Sequence, residues 1–340
     1  MSTFVRLSSD DIVINTEKIS TSTWSNNVNN LTTAHTSSTQ AIFTSPTSSG
    51  QFFIDVFNVA ANSTTTTPEV QYSIAYGHKN GSGSLDFTND TGSFGFNASR
   101  ATYGQYRSLV FGDETRNFKF DQFTPDDIYV LNVNRARYKQ ALKPGSLNLK
   151  LKKGSNQIFL TDDSVTSTGS AVLTNLGRQF NIVSGSNGVM LGSTLTQVEG
   201  SGSYGLFYPD AGILIFNPAC LDATAADGGI VLGTTRNSNT SDKNQQKFFN
   251  AVSSSGYFII DSEETISSQF YFVRAKNKEF NYTTNASFID NNGNLNFDSM
   301  IDNPKSYITT VGLYNDSNEL LAVAKLSQPL PKDFTKEALI

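Results

Sequence analysis

The sequence predicts a mainly β protein, built from antiparallel sheets or a sandwich, with a few short helices and long polar loops. Several segments alternate apolar and polar residues at a period of two, as strands with one buried face do. The 340 residues include 25 Phe and 13 Tyr, enough aromatic surface to build a core. Only 16% of the residues are charged, against about 25% in an average soluble domain. Abundant Ser, Thr and Asn indicate long loops.

Strands are predicted in five segments, and the last two form a hairpin. The five segments are 52–57, 128–133, 270–273, 308–314 and 320–326. The joining residues 315–319 are Asn-Asp-Ser-Asn-Glu, and Asn and Asp tolerate left-handed backbone and bond their own main chain. We therefore predict a hairpin over 308–326. Asn-Gly steps at 80–81 and 292–293 predict two further turns.

Helices are predicted in three short segments. Residues 134–142 are good helix formers and precede Pro144 and Gly145, a pair that ends helices. Residues 243–252 could form a second short helix, and residues 333–340 could begin a third next to the end of the sequence. The rest of the chain shows little helical periodicity, so helices are expected to be a minor part of the fold.

Composition divides the chain into four consecutive regions. Residues 1–50 are dense in Ser, Thr and Asn and poor in aromatics, which predicts an N-terminal arm or irregular segment. Residues 51–160 are predicted to form a β domain. Residues 161–256 form a loop-rich β middle region, and residues 257–340 a C-terminal β region that contains the hairpin.

Two motifs have the letters of a ligand site without its context. Residues 200–205 read Gly-Ser-Gly-Ser-Tyr-Gly, a dinucleotide-binding pattern that requires a following helix. The next residues, 206–210, instead indicate a strand and a turn. Residues 290–294 resemble the start of a calcium loop, but the glycine is the fourth residue and Ile301 stands where a bidentate Glu is needed. We interpret the two motifs as a polar loop and a turn.

No combination of residues predicts a catalytic site. Glu263 and Glu264 are adjacent, so on a strand their side chains point to opposite faces, whereas acid–base pairs must face each other. His35 and His78 are not next to a Ser or Cys nucleophile. Cys220 is the single cysteine, which excludes an internal disulfide and a cysteine metal cluster. We therefore expect a protein that is not an enzyme and has no cofactor or metal.

Charge and hydropathy argue against two classes of partner. The chain has 25 basic and 30 acidic residues, a net charge of -5, which does not favour nucleic acid. The longest apolar run, 212–216, is far shorter than the about 20 residues of a membrane-spanning helix. Residues 1–6 lack a basic segment followed by an apolar one, so no secretory signal is expected.

A basic stretch without acidic residues lies between Asp127 and Asp162. It predicts either an electrostatic docking surface, for a phosphate backbone or an acidic protein neighbour, or a solvated helix face and a lysine-protected sheet edge. The sequence leaves both interpretations open. The residues are Arg135, Arg137, Lys139, Lys143, Lys150, Lys152 and Lys153.

Five segments taken together resemble a known family. They are 103–113, 126–149, 204–218, 262–282 and 303–339, which include YGQYRSLVFGD, YGLFYPDAGILIFNP and SYITTVGLYNDSNELLAVAKL. The chain is similar in them to virion structural proteins of contractile-tailed, myovirus-type marine phages that infect cyanobacteria, associated with the tail or baseplate. The resemblance covers most of residues 50–340 and is weakest in the arm. In similar sequences a short basic and apolar strand follows the position of Ile340, so a truncated chain end is expected.

The resemblance implies a structural subunit of the virion that is assembled in the host cytoplasm. Its expected partners are other tail, baseplate or neck proteins and copies of itself, without nucleic acid and without membrane insertion. The basic stretch and the hairpin are the candidate contact regions, and the residues after Leu326 are expected to extend as a tail along a neighbour. The candidate interface residues are Arg135, Arg137, Tyr138, Lys139, Tyr314, Leu320, Pro329 and Pro331.

Two alternative functions stay open. The first is a host-recognition protein on the particle surface, in which exposed Tyr, Trp24 and Asn-rich loops stack on and hydrogen-bond to sugars. The second is a hydrolase of host surface polymer, for which no motif places a carboxylate pair.

Overall fold

The strand pairs of the described residues are antiparallel, and the fold is mainly β, as the sequence predicts. A computed structural model describes residues 4–36, 53–60, 63–82, 98–166, 171–236, 244–281 and 286–340. The strands are β1 Ile12–Ser22, β2 His35–Thr36, β3 Phe53–Phe57, β4 Val70–His78, β5 Asp127–Val133, β6 Ala141–Leu142, β7 Asn148–Lys153, β8 Asn156–Asp162, β9 Val172–Thr174, β10 Gly177–Ser186, β11 Val189–Met190, β12 Gly205–Tyr208, β13 Ile213–Phe216, β14 Phe258–Ile259, β15 Asp261–Tyr271, β16 Arg274–Ala275, β17 Ser306–Tyr314, β18 Leu320–Lys332 and β19 Ala338–Leu339. The helices are α1 Ala98–Phe111, α2 Pro218–Asp222, α3 Asn244–Ser253 and α4 Ser299–Asp302.

The chain divides into two compact units. Unit 1 comprises Met1–Glu17 and Ile266–Ile340, and unit 2 comprises Lys18–Thr265. The division falls within β1 and β15, which belong to a three-stranded sheet of order β1-β15-β6. Unit 1 therefore combines the two ends of the chain, which differs from the four consecutive regions that composition predicts.

Unit 2 is built on a 12-stranded sheet. Its strand order is β14-β7-β8-β10-β12-β13-β5-β4-β3-β2, with β9 and β11 both paired to β10. The central strands β5, β12 and β13 are buried on both faces, because alternate residues enter two different cores. In β5, Tyr129 and Leu131 enter the larger core, and Ile128 and Val130 enter the smaller one. Burial on both faces explains why 212–216 is a continuous apolar run.

The larger core closes the sheet into a curled layer. Phe258 lies in β14 at one end of the strand order, and Tyr72 lies in β4 towards the other end. Their ring centroids are 5.6 Å apart, and the Trp24 ring lies 4.7 Å from Phe258 and 6.1 Å from Tyr72. The indole Nε1 of Trp24 donates a hydrogen bond of 2.8 Å to the Phe258 carbonyl. From α3, Phe248 stacks on Tyr129 at 4.9 Å within the same core.

The smaller core lies between the sheet and α1. Tyr103 and Val110 of the helix are buried there with Phe118 and Phe120. Gly77 in β4 allows the helix to approach, since a Cβ at this position would lie 2.9 Å from the backbone nitrogen of Tyr103.

Two of the three helix predictions are wrong. Residues 134–142 form a 3₁₀ turn at Arg135–Arg137 and the short strand β6. Asn134 caps the turn by accepting from the Ala136 amide, and Leu142 is drawn into the core, so packing overrides helix propensity. Residues 333–340 form a turn at Asp333, which accepts from the Thr335 amide, and then β19. The predicted helix over 243–252 is confirmed as α3.

The sequence missed α1, and the N-terminal region is more ordered than predicted. Gly, Thr and Tyr weaken the helical signal of α1. Within the predicted arm, β1 forms an 11-residue strand. Trp24 and Leu31 are buried in the larger core. Residues 37–50 of the arm lie outside the described residues.

Unit 1 has almost no interior. It contains the hairpin of β17 and β18, the short pair β16–β19, and α4. Of its described residues, only Ala275, Lys332 and Ala338 are buried, and both hydrophobic cores consist of unit 2 residues. The Lys332 ammonium is held by the Asn277 carbonyl at 3.1 Å and the Asn281 side chain at 2.9 Å. Unit 1 is thus a β unit without a hydrophobic core of its own.

We predict opposite effects for two Gly→Ala substitutions at the packing of α1. Gly77→Ala places a methyl group against the Tyr103 backbone and is expected to destabilise the protein by about 1–3 kcal/mol through overpacking. Gly104→Ala lies within α1 with nothing inside 4 Å of the new Cβ, and should stabilise the helix by up to about 1 kcal/mol. Urea unfolding midpoints measure both changes, and equal shifts for the two variants would contradict the close packing of α1 on β4.

Candidate assembly interface

The hairpin β17–β18 is closed by its own sequence. The Asn315 side chain accepts from the backbone amides of Ser317 and Glu319 at 3.0 and 2.8 Å, and Asn318 adopts a left-handed backbone with φ of 60°. Beyond the loop, Gly312 pairs with Val323. The predicted hairpin over 308–326 is therefore confirmed, with strands longer than expected.

One face of the hairpin is apolar and exposed. We call it the exposed hairpin face and define it by Tyr314, Leu321 and Val323. Their exposed fractions are 45%, 68% and 57%. The Tyr314 ring also shields Gly312, because a Cβ at Gly312 would lie 2.9 Å from a ring carbon. Of these rings and side chains, Tyr314 has a neighbour within unit 1, because its ring centroid lies 4.9 Å from that of Phe4. Exposed apolar side chains that lie close together are typical of interaction sites.

Tyr307 and Leu320 add to the apolar character of the hairpin, with exposed fractions of 62% and 52%. A two-stranded hairpin is marginally stable in water, and three or more strands with an apolar face are needed for independent stability. The geometry therefore suits an element that completes its packing against another protein.

The predicted interface residues of the hairpin are spread along it from one end to the other, and the residues after Leu326 do not form the expected tail. Tyr314 pairs with Leu320 at the loop end, and Pro331 pairs with Tyr307. Between these pairs the register shifts, because Ile308 pairs with Leu330 whereas Thr310 pairs with Lys325. Pro329 lies in this irregular part, where a missing N–H does not break the ladder. The residues after Leu326 thus continue β18 as far as Lys332 instead of extending as a tail.

The sequence predicts that Tyr138 is an interface residue beside the basic stretch, but the structure buries its side chain. Its side chain is only 6% exposed and belongs to the larger core. The Arg135 guanidinium lies 4.6 Å from the centroid of its ring and donates to the Tyr138 carbonyl at 2.7 Å. The aromatic ring therefore packs inside unit 2, and Arg135 covers it from the solvent side.

The other basic residues mostly have partners within unit 2. Arg137 donates to Glu69 at 2.7 Å and to the Ser25 hydroxyl. The Lys139 ammonium lies 3.6 Å from Glu264 and its side chain is 66% exposed. Lys143 donates to Ser20, Lys150 lies over the Phe159 ring, and Lys153 donates to the carbonyls of Val231 and Leu232. Such internal contacts favour a structural interpretation of most of the basic stretch.

One group of titratable side chains in the described part of unit 2 is an ion cluster around Arg236. Its Nε donates to Asp127 at 2.6 Å, and its Nη1 donates to Asp222 at 2.9 Å. The Tyr76 hydroxyl donates to the same Asp127 oxygen at 3.1 Å. Asp222 also accepts from the amide and hydroxyl of Thr234. The cluster ties residues 234–236 to β5 and α2.

The opposite charges of the cluster stabilise one another, and the cluster thereby acts as a tether that holds residues 234–236 against β5 and α2. Burial raises the pKa of the Asp127 carboxyl, and the Arg236 guanidinium and the Tyr76 hydroxyl oppose that rise. Burial also disfavours the charge of Arg236, but Asp127 and Asp222 outweigh it and raise the pKa of the guanidinium. Each carboxylate oxygen named above accepts a hydrogen bond or an ion pair from a donor of the cluster.

The two motifs that resemble ligand sites, and the adjacent glutamates, have ordinary structural roles in the fold. Gly205 begins β12, so a strand follows the Gly-rich motif where dinucleotide binding needs a helix. Asp290 bonds the amides of Asn292 and Asn294, which forms a turn. Glu263 contacts Lys18 at 3.1 Å, whereas Glu264 contacts Lys139, so the two carboxylates serve different partners.

The described residues have neither a cluster of metal-binding side chains nor a membrane-spanning helix. Within these residues, no three His, Cys, Asp or Glu side chains are close enough together to hold a metal ion. The described helices include none with the length and apolar character that crossing a bilayer requires.

Comparisons with protein-family models, with curated proteins and with solved structures found no match to this chain.

The residues that sequence reasoning missed are Tyr307, Leu321 and Val323. A signal for them exists, because 306–314 is an uncharged stretch and 320–324 is a continuous apolar run. Such a run is typical of a buried strand. The structure instead exposes the side chains of 320–324. This difference between the pattern and the structure identifies the exposed hairpin face.

We predict that Arg236→Met destabilises unit 2 in a pH-dependent manner. The substitution leaves the Asp127 carboxylate, 3% exposed, without its cation. The expected loss at pH 7 is about 2–3 kcal/mol, which is below most of the range of about 3–5 kcal/mol for a broken buried pair, because 34% of the Arg236 side chain is exposed. Loss of the guanidinium raises the folded-state pKa of Asp127 further above its unfolded value, about 3.9.

The sign of the pH dependence follows from that pKa. A carboxyl with a raised folded pKa binds its proton more readily in the native state, so its stabilising contribution is present at low pH and is lost as the pH rises. The deficit of Arg236→Met relative to the parent should therefore shrink between pH 7 and pH 5, measured by urea unfolding. The double variant Arg236→Met/Asp127→Asn is the control and should lack this pH dependence. A deficit that is the same at both pH values would contradict the tether.

Proposed function

We propose that the chain is a non-enzymatic structural component of a tailed-phage virion, a subunit of the tail or baseplate that makes protein–protein contacts. The exposed hairpin face carries this proposal, because it is an apolar surface on a unit without its own hydrophobic core. Burial against a neighbouring subunit removes that surface from water. The resemblance of five segments to virion proteins of cyanobacterial phages supports the same conclusion.

The proposed partners are other virion proteins and copies of the same chain. Tyr is enriched at protein interfaces and Lys and Glu are depleted, and the exposed hairpin face has this composition. The localisation that follows is the virion, with assembly in the host cytoplasm.

The glycan-binding alternative loses its strongest residue. Trp24 is 2% exposed and its indole nitrogen is bonded to the Phe258 carbonyl, so it has no ring face for a sugar. The exposed tyrosines of the hairpin are flanked by aliphatic side chains, which suits protein contact better than sugar binding.

We predict that Leu321→Asp/Val323→Asp abolishes incorporation of the chain into particles without unfolding it. Both side chains are exposed, so the stability of the isolated protein should change by no more than about 0.5 kcal/mol for each substitution. A charge on each side chain of the buried interface would cost several-fold more. Particles of the phage that encodes the chain are purified from complemented hosts and analysed by quantitative mass spectrometry.

The matched control is Leu109→Asp. Leu109 is an exposed leucine of α1 in unit 2, with an exposed fraction of 44%, and its variant should be incorporated like the parent. Finding no parent chain in purified particles would refute the structural role, and incorporation of the hairpin variant at the parent level would refute the role of this face.

A further inference from the structure

The two edges of the hairpin differ in how they are protected. The β18 edge has Lys325, the prolines Pro329 and Pro331, and the register irregularity between Lys325 and Leu330. Lysine, proline and bulges are the devices by which proteins prevent unwanted strand pairing. β17 reads Ser-Tyr-Ile-Thr-Thr-Val-Gly-Leu-Tyr and has no charge and no proline. The β17 edge is thus unprotected.

The outward backbone of β17 has no partner in the described chain. Within the described residues, the backbone hydrogen bonds of 306–314 are those of its ladder with β18. The strand is nine residues long, so alternate N–H and C=O groups form a row along one side. Such a row is a template for one further strand.

The side chains of β17 match a second β17 in antiparallel orientation. With Thr310 opposite itself on a two-fold axis, Tyr307 lies opposite Leu313 and Ser306 lies opposite Tyr314. Aromatic side chains opposite aliphatic ones stabilise antiparallel pairs. A strand without charge meets its own copy without like-charge repulsion, and the same patch serves both molecules, as a two-fold interface requires.

We propose that β17 pairs with β17 of a second copy across a two-fold axis at Thr310, which joins two hairpins into a four-stranded sheet. The inference rests on the proposed function, since it names a partner for the hairpin that assembly requires. Four strands satisfy the minimum that a two-stranded hairpin lacks, and the exposed hairpin faces of the two copies then lie on one sheet.

Charge substitutions at the axis test the pairing. Thr310 is exposed and pairs with Lys325 of β18, so a glutamate at this position gains an opposite charge within the hairpin and a lysine meets a like charge. Circular dichroism and urea unfolding therefore check that Thr310→Glu and Thr310→Lys fold as the parent does. Each variant places two like charges opposite each other, and dimerisation should weaken at least about fivefold. An equimolar mixture of the two variants should recover it, because Glu then lies opposite Lys. Analytical ultracentrifugation at about 50 µM, a concentration that populates a micromolar dimer, is the measurement.

A disulfide trap provides a second readout. Thr310→Cys should form a covalent dimer under mild oxidation, since directly opposite residues lie within the range for a disulfide. Ser327→Cys on the β18 edge is the matched control and should not be trapped. The native Cys220 is buried and does not compete.

The outcomes separate this inference from the proposed function. A parent chain that is monomeric at that concentration, a Thr310→Glu variant that dimerises as the parent does, or a variant mixture that stays monomeric would each overturn the pairing of β17. The chain would still be a virion subunit if it is found in purified particles. Dimers in solution together with absence from particles would support the pairing and reject the assembly role.

Discussion

The fold of unit 2 depends on the contact between Trp24, Tyr72 and Phe258, because this contact brings the two ends of the strand order together. A wide antiparallel sheet buries a face only where it curls on itself or is covered by other elements. The three rings fill the seam, and the indole hydrogen bond fixes the depth of Trp24. The residue that composition assigns to a polar arm is thus the wedge that closes the larger core.

Two cations that lie partly or wholly inside the protein, Arg236 and Lys332, each make several hydrogen bonds or ion pairs. Arg236 is bonded to two carboxylates, and Lys332 is bonded to a backbone carbonyl and an amide side chain. An unpaired buried charge costs several kcal/mol, so these side chains fix nearby loops as well as neutralise charge.

Local signals were sufficient for some elements and insufficient for others. The hairpin over 308–326 and the helix α3 were predictable because the apolar pattern and the turn residues lie within one segment. The helix α1 was not, since its stability comes from Tyr103 packing against Gly77, a contact between distant parts of the chain. Likewise the sequence marks Tyr138 as aromatic and Leu321 as apolar, but only tertiary packing decides that the first is buried and the second exposed.

The prolines of β18 and its exposed Lys325 also limit how far strand pairing extends. A hairpin with two open edges behaves as a bifunctional monomer, and each addition exposes a new edge for the next copy, as in a fibre. Because the β18 edge is protected, each hairpin can pair with a further strand only along β17. Strand addition then stops once two hairpins have paired. A protein with an exposed apolar hairpin therefore forms assemblies of limited size instead of fibres.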